Sequence, residues 1–77
     1  MEEKLKQLMA DVLKVPVDEV HDGIRMEDAE AWDSLKHMEL ISALEDGFQV
    51  EFDFDEIIRM QDLDTIQRVL EGKTVAA

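Results

Sequence analysis

Cysteine is absent from the 77 residues, which excludes a disulfide framework, a thiolate metal site and a side-chain thiol nucleophile. Any sulfur chemistry would have to arrive on a prosthetic group. Positive charge is scarce as well: eight Lys and Arg stand against twenty Asp and Glu, a formal net charge of −12. Nucleic acid and anionic membrane surfaces repel such a chain, so no nucleic-acid partner is expected and basic protein surfaces are its natural partners. Long apolar runs are missing too. No stretch approaches the roughly 18 apolar residues of a membrane span, and Met1-Glu2-Glu3-Lys4 opens no apolar targeting segment. A cytoplasmic monomer without membrane insertion is the expectation. Gly-rich phosphate-cradling loops, basic RNA-binding patches, internal repeats and low-complexity tracts are also lacking.

A chain of this length is one domain at most, taken as residues 1–77 with 73–77 a frayed tail. Only about 60% of the unfolded surface of so short a chain can be buried, so an enclosed active site would compete with the core for the same residues. That weighs against an enzyme.

Leu5, Leu8, Met9, Val12 and Leu13 recur at the spacing of an amphipathic helix over about residues 3–14. Glu2 and Glu3 suit the positive end of its dipole, and Pro16 stops it by disfavouring helical geometry at Val15. Residues 15–33 have no sustained period. Val15, Val17 and Val20 suggest a short turn dipping into the core, with Ile24 and Trp32 as further anchors. A loop this long in a small domain is usually functional or disordered, and its apolar residues predict one that is packed down.

Ser34 to Phe48 reads as a second helix. Its stripe is Leu35, Met38, Leu40, Ile41, Leu44 and Phe48, with Asp33 or Ser34 as N-cap and Gly47 near its end. Residues 49–54 alternate polar and apolar, which suggests a strand. With nothing to pair against, they are expected as an extended linker with Val50, Phe52 and Phe54 pointing inward. A short helix follows over 55–60, then a last helix marked by Leu63, Ile66, Val69 and Leu70, starting near Asp62 or Asp64 and ending at Gly72. The fold class is all-α, a small bundle of three main helices and one short helix with a long first connection.

Asp33-Ser34-Leu35, followed on the same helix by Met38, Glu39, Leu40, Ile41, Leu44, Glu45 and Phe48, resembles the attachment motif of the acyl carrier protein family, the phosphopantetheine-dependent carriers. The likeness extends to total length, helix order, loop length, acidic balance and the Asp64-Thr65-Ile66 helix start. It implies that Ser34 Oγ receives 4'-phosphopantetheine from coenzyme A through a phosphopantetheinyl transferase. The arm's thiol would then hold acyl or aminoacyl groups as thioesters for fatty-acid, polyketide or other specialised biosynthesis, including lipid, surface-polysaccharide or D-alanyl transfer.

The resemblance also implies that Asp33, Leu35, Met38, Glu39 and Glu45 serve partner recognition. Asp33 would help the transferase engage the site, and the glutamates would meet basic docking patches on acyl-loading and acyl-transfer enzymes. Lys36 stands where fatty-acid carriers usually have an acid, and His37 is unusual there, so a charge is reversed beside the attachment point. No catalytic residue is expected, because a hydrolytic Ser34 would need a general base and an oxyanion hole. No metal site is expected either. Asp53, Asp55 and Glu56 resemble the opening of a calcium loop, yet its glycine is missing and Asp64 stands at the twelfth position.

Each of these features also has a plainer account. The alternative to a carrier is an acidic helical protein–protein interaction module in which Ser34 only caps a helix. Phe52, Phe54, Ile57, Ile58 and Met60 either line a cleft for an acyl chain or, as expected, fill the core.

Overall fold

The computed structural model describes residues 2–75 and consists of α1 (Glu2–Leu13), α2 (Ser34–Phe48), α3 (Phe54–Arg59) and α4 (Leu63–Val75). No strand occurs among these residues. The chain is an all-α bundle, three main helices and one short, as the apolar spacing predicts. Leu40, Ile41 and Leu44 of α2 are buried with Leu5 and Met9 of α1 and with Met60, Leu63, Ile66 and Leu70.

Both long helices of the first half end on a left-handed residue that is not glycine. Lys14 has φ 59°, and the Val15 N–H returns to the Ala10 carbonyl at 3.1 Å. Gln49 has φ 56°, and the Val50 N–H returns to the Glu45 carbonyl at 3.2 Å. These returning bonds satisfy carbonyls that the last helical turn would otherwise leave unpaired. Gly47, expected to mark the end of α2, lies inside it. A Cβ on Gly47 would stand 2.8 Å from Leu8 Cδ1, so this glycine serves the close approach of α1 and α2 rather than a turn.

The long connection is packed down, as its apolar anchors predict. Two 3₁₀ turns, Val17–Glu19 and Met26–Asp28, shorten it, and Val20, Ile24 and Trp32 are buried. Val17 departs from the expectation and faces solvent. Backbone bonds tie the connection to the α3–α4 junction: Met26 N–H to the Gln61 carbonyl at 2.8 Å and Leu63 N–H to the Ile24 carbonyl at 3.1 Å. Lys6 of α1 pairs with Asp22 at 2.6 Å. That hydrogen bond lowers the Asp22 carboxyl below its ordinary range and raises the Lys6 ammonium.

Residues 50–53 form no helix and pair with no strand, and Phe52 points inward. Phe54 does not. Asp53 Oδ1 accepts the Glu56 N–H at 2.8 Å while Glu56 Oε1 accepts the Asp53 N–H at 2.9 Å. This capping box starts α3 at Phe54, and from that position the ring is directed to solvent, 74% exposed. The same Asp53 and Glu56 that resemble a calcium loop are thus helix caps. α4 begins at Leu63 with the Asp62 carboxylate accepting the Thr65 N–H at 2.6 Å. It continues through Gly72 to Val75, and Lys73 in its last turns pairs with Glu56 of α3 at 2.9 Å. The expected frayed tail is therefore helical at 73–75, and its last two residues lie outside those described.

Candidate functional site

Asp33, still extended at φ −96° and ψ −175°, accepts the Lys36 N–H on its carboxylate at 2.9 Å. That is the N-cap bond, so α2 starts on Ser34. Of the two candidate caps, Asp33 does the capping. Ser34 is the first helical residue and is exposed, its hydroxyl at the positive end of a 15-residue helix.

One turn deeper lies a contact that sequence reasoning missed. His37, unusual at its position in the family resemblance, is buried. Its Nδ1 accepts the indole N–H of Trp32 at 3.1 Å, and its Nε2 lies 2.8 Å from the Ile57 carbonyl oxygen. An indole nitrogen only donates, so Nδ1 is the acceptor, and the ring proton resides on Nε2 and is donated to Ile57. The segment before Ser34, the first turns of α2, and α3 are thereby joined through one ring. The available signal was the placement of Trp32 and His37 five apart across a helix start, which brings the two side chains over the same turn.

The recognition residues inferred from the family divide in two. Leu35 and Met38 are exposed, 70% and 53%, and Glu39 is exposed but pairs with Lys36 at 3.3 Å. Glu45 is turned to the protein itself, its carboxylate accepting the Phe52 N–H at 3.0 Å. It stands three turns from Ser34, about 16 Å along the axis, and the contact shows a structural duty in holding the α2–α3 connection.

The expected cleft residues also divide. Phe52 and Met60 are core and Ile57 is half-buried, whereas Phe54 and Ile58 face solvent. A recess of about 770 Å³ opens elsewhere, beneath the long connection, with Leu13, Val15, Ile24, Ala29 and Ala31 along it and no residue of α2 or α3. No group of three or more His, Asp and Glu side chains placed to hold a metal ion occurs among the described residues, and no helix among them is long and apolar enough to cross a membrane.

Fold and site define a scaffold that presents one serine hydroxyl at a helix start instead of enclosing a substrate. A family model described as phosphopantetheine attachment site matches residues 3–71, and the chain belongs to that family. It is a carrier protein: it takes a covalently bound 4'-phosphopantetheine, carries intermediates for partner enzymes and is not itself catalytic. Carriers of this kind interact with phosphopantetheinyl transferase and with biosynthetic enzymes. The local structure fits the group, since a phosphodiester on the first-turn hydroxyl would meet unpaired backbone N–H groups and the positive end of the helix dipole.

Proposed function

We propose that Ser34 is the attachment residue, and that the chain acts as a single cytoplasmic carrier unit for acyl or aminoacyl intermediates of fatty-acid, polyketide or another specialised biosynthesis. The observation that carries this is the division of labour at the start of α2. Asp33 makes the cap bond at 2.9 Å, so the exposed Ser34 hydroxyl is not needed to begin the helix. The rival account, an interaction module with Ser34 as a mere cap, loses its premise at the same point.

In the attachment step, Ser34 Oγ forms a bond to the phosphorus bearing the pantetheine of coenzyme A. The pyrophosphate bond breaks, the adenosine bisphosphate leaves, and the hydroxyl proton goes to a base of the transferase. Once bound, the arm supplies a thiol that holds cargo as a thioester. The protein's own contribution is an address and a tether, which raises the effective concentration of cargo at each docked enzyme.

The test is intact-mass spectrometry after incubation with coenzyme A, magnesium and a broad-specificity phosphopantetheinyl transferase, with Ser34→Ala in parallel. A single phosphopantetheine increment on the wild type and none on the variant is expected. An increment that persists on Ser34→Ala would move the attachment to another residue.

A further inference from the structure

Ser34 and His37 lie three apart on α2 and share one of its faces. The way from the Ser34 hydroxyl into the bundle therefore runs over the His37 ring. Leu35 and Met38, to either side of that face, are exposed and lead to solvent. The ring itself is 7% exposed and the Trp32 indole beside it 1%.

Both side chains are fully engaged. His37 Nδ1 accepts the indole N–H at 3.1 Å, and Nε2 donates to the Ile57 carbonyl at 2.8 Å. No buried side-chain nitrogen or oxygen among the described residues lacks a partner. The two rings thus tie α2 to the segment before it and to α3, across the gap that cargo would have to open to pass between the helices. Leu40, Leu44, Phe52 and Met60 are buried in one cluster, with Ile57 packed against it. Entry there would break both bonds and leave the indole N–H and the Ile57 carbonyl buried without partners. Only about three to five newly buried methylenes would offset that loss. A shorter acyl group has too few, and the ammonium of an aminoacyl group resists burial without a counter-charge.

Resting on the assignment of Ser34, we infer that this carrier serves cargo too short or too polar to displace the His37 ring, and holds it outside the bundle. The class is an acyl group of up to about six carbons, on the methylene arithmetic above, or an aminoacyl group. His37 is the residue that closes the interior, acting through Trp32 and the Ile57 carbonyl. The thioester stays open to partner enzymes, with no step in which the bundle must first release its cargo.

The experiment loads the protein in one step from acetyl-, butanoyl- and hexanoyl-coenzyme A with the broad-specificity transferase, and confirms each product by intact mass. Thermal melts compare every loaded form with the form carrying the bare arm. Nitrogen-15 NMR follows the His37 ring nitrogens and the Trp32 indole N–H. A buried cargo would raise the melting temperature by about 3–6 °C per methylene. The wild type is expected to stay within about 1 °C for all three groups, with ring and indole signals unmoved. His37→Ala, compared with its own bare-arm form, should gain about 3 °C or more with the hexanoyl group. His37→Gln, which keeps a donor and an acceptor, should behave as the wild type.

A wild type stabilised stepwise from acetyl to hexanoyl, with moving ring signals, would overturn the proposal and leave Ser34 as the attachment residue. So would shifts at Ile24, Ala29 and Ala31, which would place the cargo in the recess beneath the long connection. A His37→Ala protein indifferent to cargo length would overturn the role of the ring. Should that variant not fold, the wild-type melts and ring signals still decide. A wild type that takes up no group at all overturns the Ser34 assignment together with this inference.

Discussion

Trp32 and His37 are joined inside the bundle, indole N–H to imidazole Nδ1 at 3.1 Å, with ring centroids 6.0 Å apart. The other ring nitrogen reaches the Ile57 carbonyl at 2.8 Å. His37→Ala removes both bonds and leaves a buried donor and a carbonyl without partners, so a loss of about 2–4 kcal/mol is expected. Trp32→Phe keeps most of the volume and strands only Nδ1, at about 1–2 kcal/mol. Urea unfolding followed by circular dichroism measures both. Nitrogen-15 NMR of the ring should find the proton on Nε2, and a proton on Nδ1 would contradict the arrangement.

Ser34 and Asp33 are adjacent but are expected to separate cleanly by stability. Asp33→Ala removes the N-cap bond to Lys36 and should cost about 0.5–2 kcal/mol. Ser34→Ala should stay within about 0.5 kcal/mol of the wild type while abolishing modification. Equal losses for the two variants would mean the serine shares the capping role.

Gly47 and Leu8 are predicted to be coupled. A Cβ at 47 would press on Leu8 Cδ1 at 2.8 Å, which opposes the gain of about 0.5–1 kcal/mol that alanine brings over glycine in a helix interior. With Leu8→Ala in the background the contact is gone, and Gly47→Ala should then stabilise by about that full amount. A double-mutant cycle in urea reads the difference. Additivity of the two substitutions would remove close packing as the reason for this glycine.

Glu56 should make stability fall in acid. Its carboxyl is held below the ordinary range by the Asp53 N–H first and by the Lys73 ammonium second. A folded-state value below the unfolded one contributes stability that is present above the unfolded value and lost as pH falls through the folded one. Protonation also relieves the repulsion of a chain at −12, which has the opposite sign, so the measurement is a difference. Glu56→Gln should melt below the wild type near about pH 7, and the gap should close near about pH 3. A gap that stays constant with pH would assign the contribution to packing.

Much of the fold was legible from local rules. Apolar spacing placed the three main helices, and Ser34–Phe48 was read to the residue, because a helix start depends on a cap and a period that lie within a few positions of each other. The acidic excess and the Asp33-Ser34-Leu35 motif are likewise properties of the chain alone. The α3 capping box was within reach too, since Asp53 and Glu56 stand at the required spacing of three.

Other features were decided only in three dimensions. His37 is interior because Ile57, twenty residues later, brings a carbonyl to it. Gly47 is internal to α2 because Leu8 of another helix needs the space. α4 passes Gly72 and brings Lys73 to Glu56 of α3. Glu45 is occupied because Phe52 turns its N–H back, and Phe54 and Ile58 face outward because the start and seating of α3 give its other face to the core. Periodicity states that a helix has an apolar side and an end; which side is covered, and by what, depends on contacts between distant segments that no local pattern encodes.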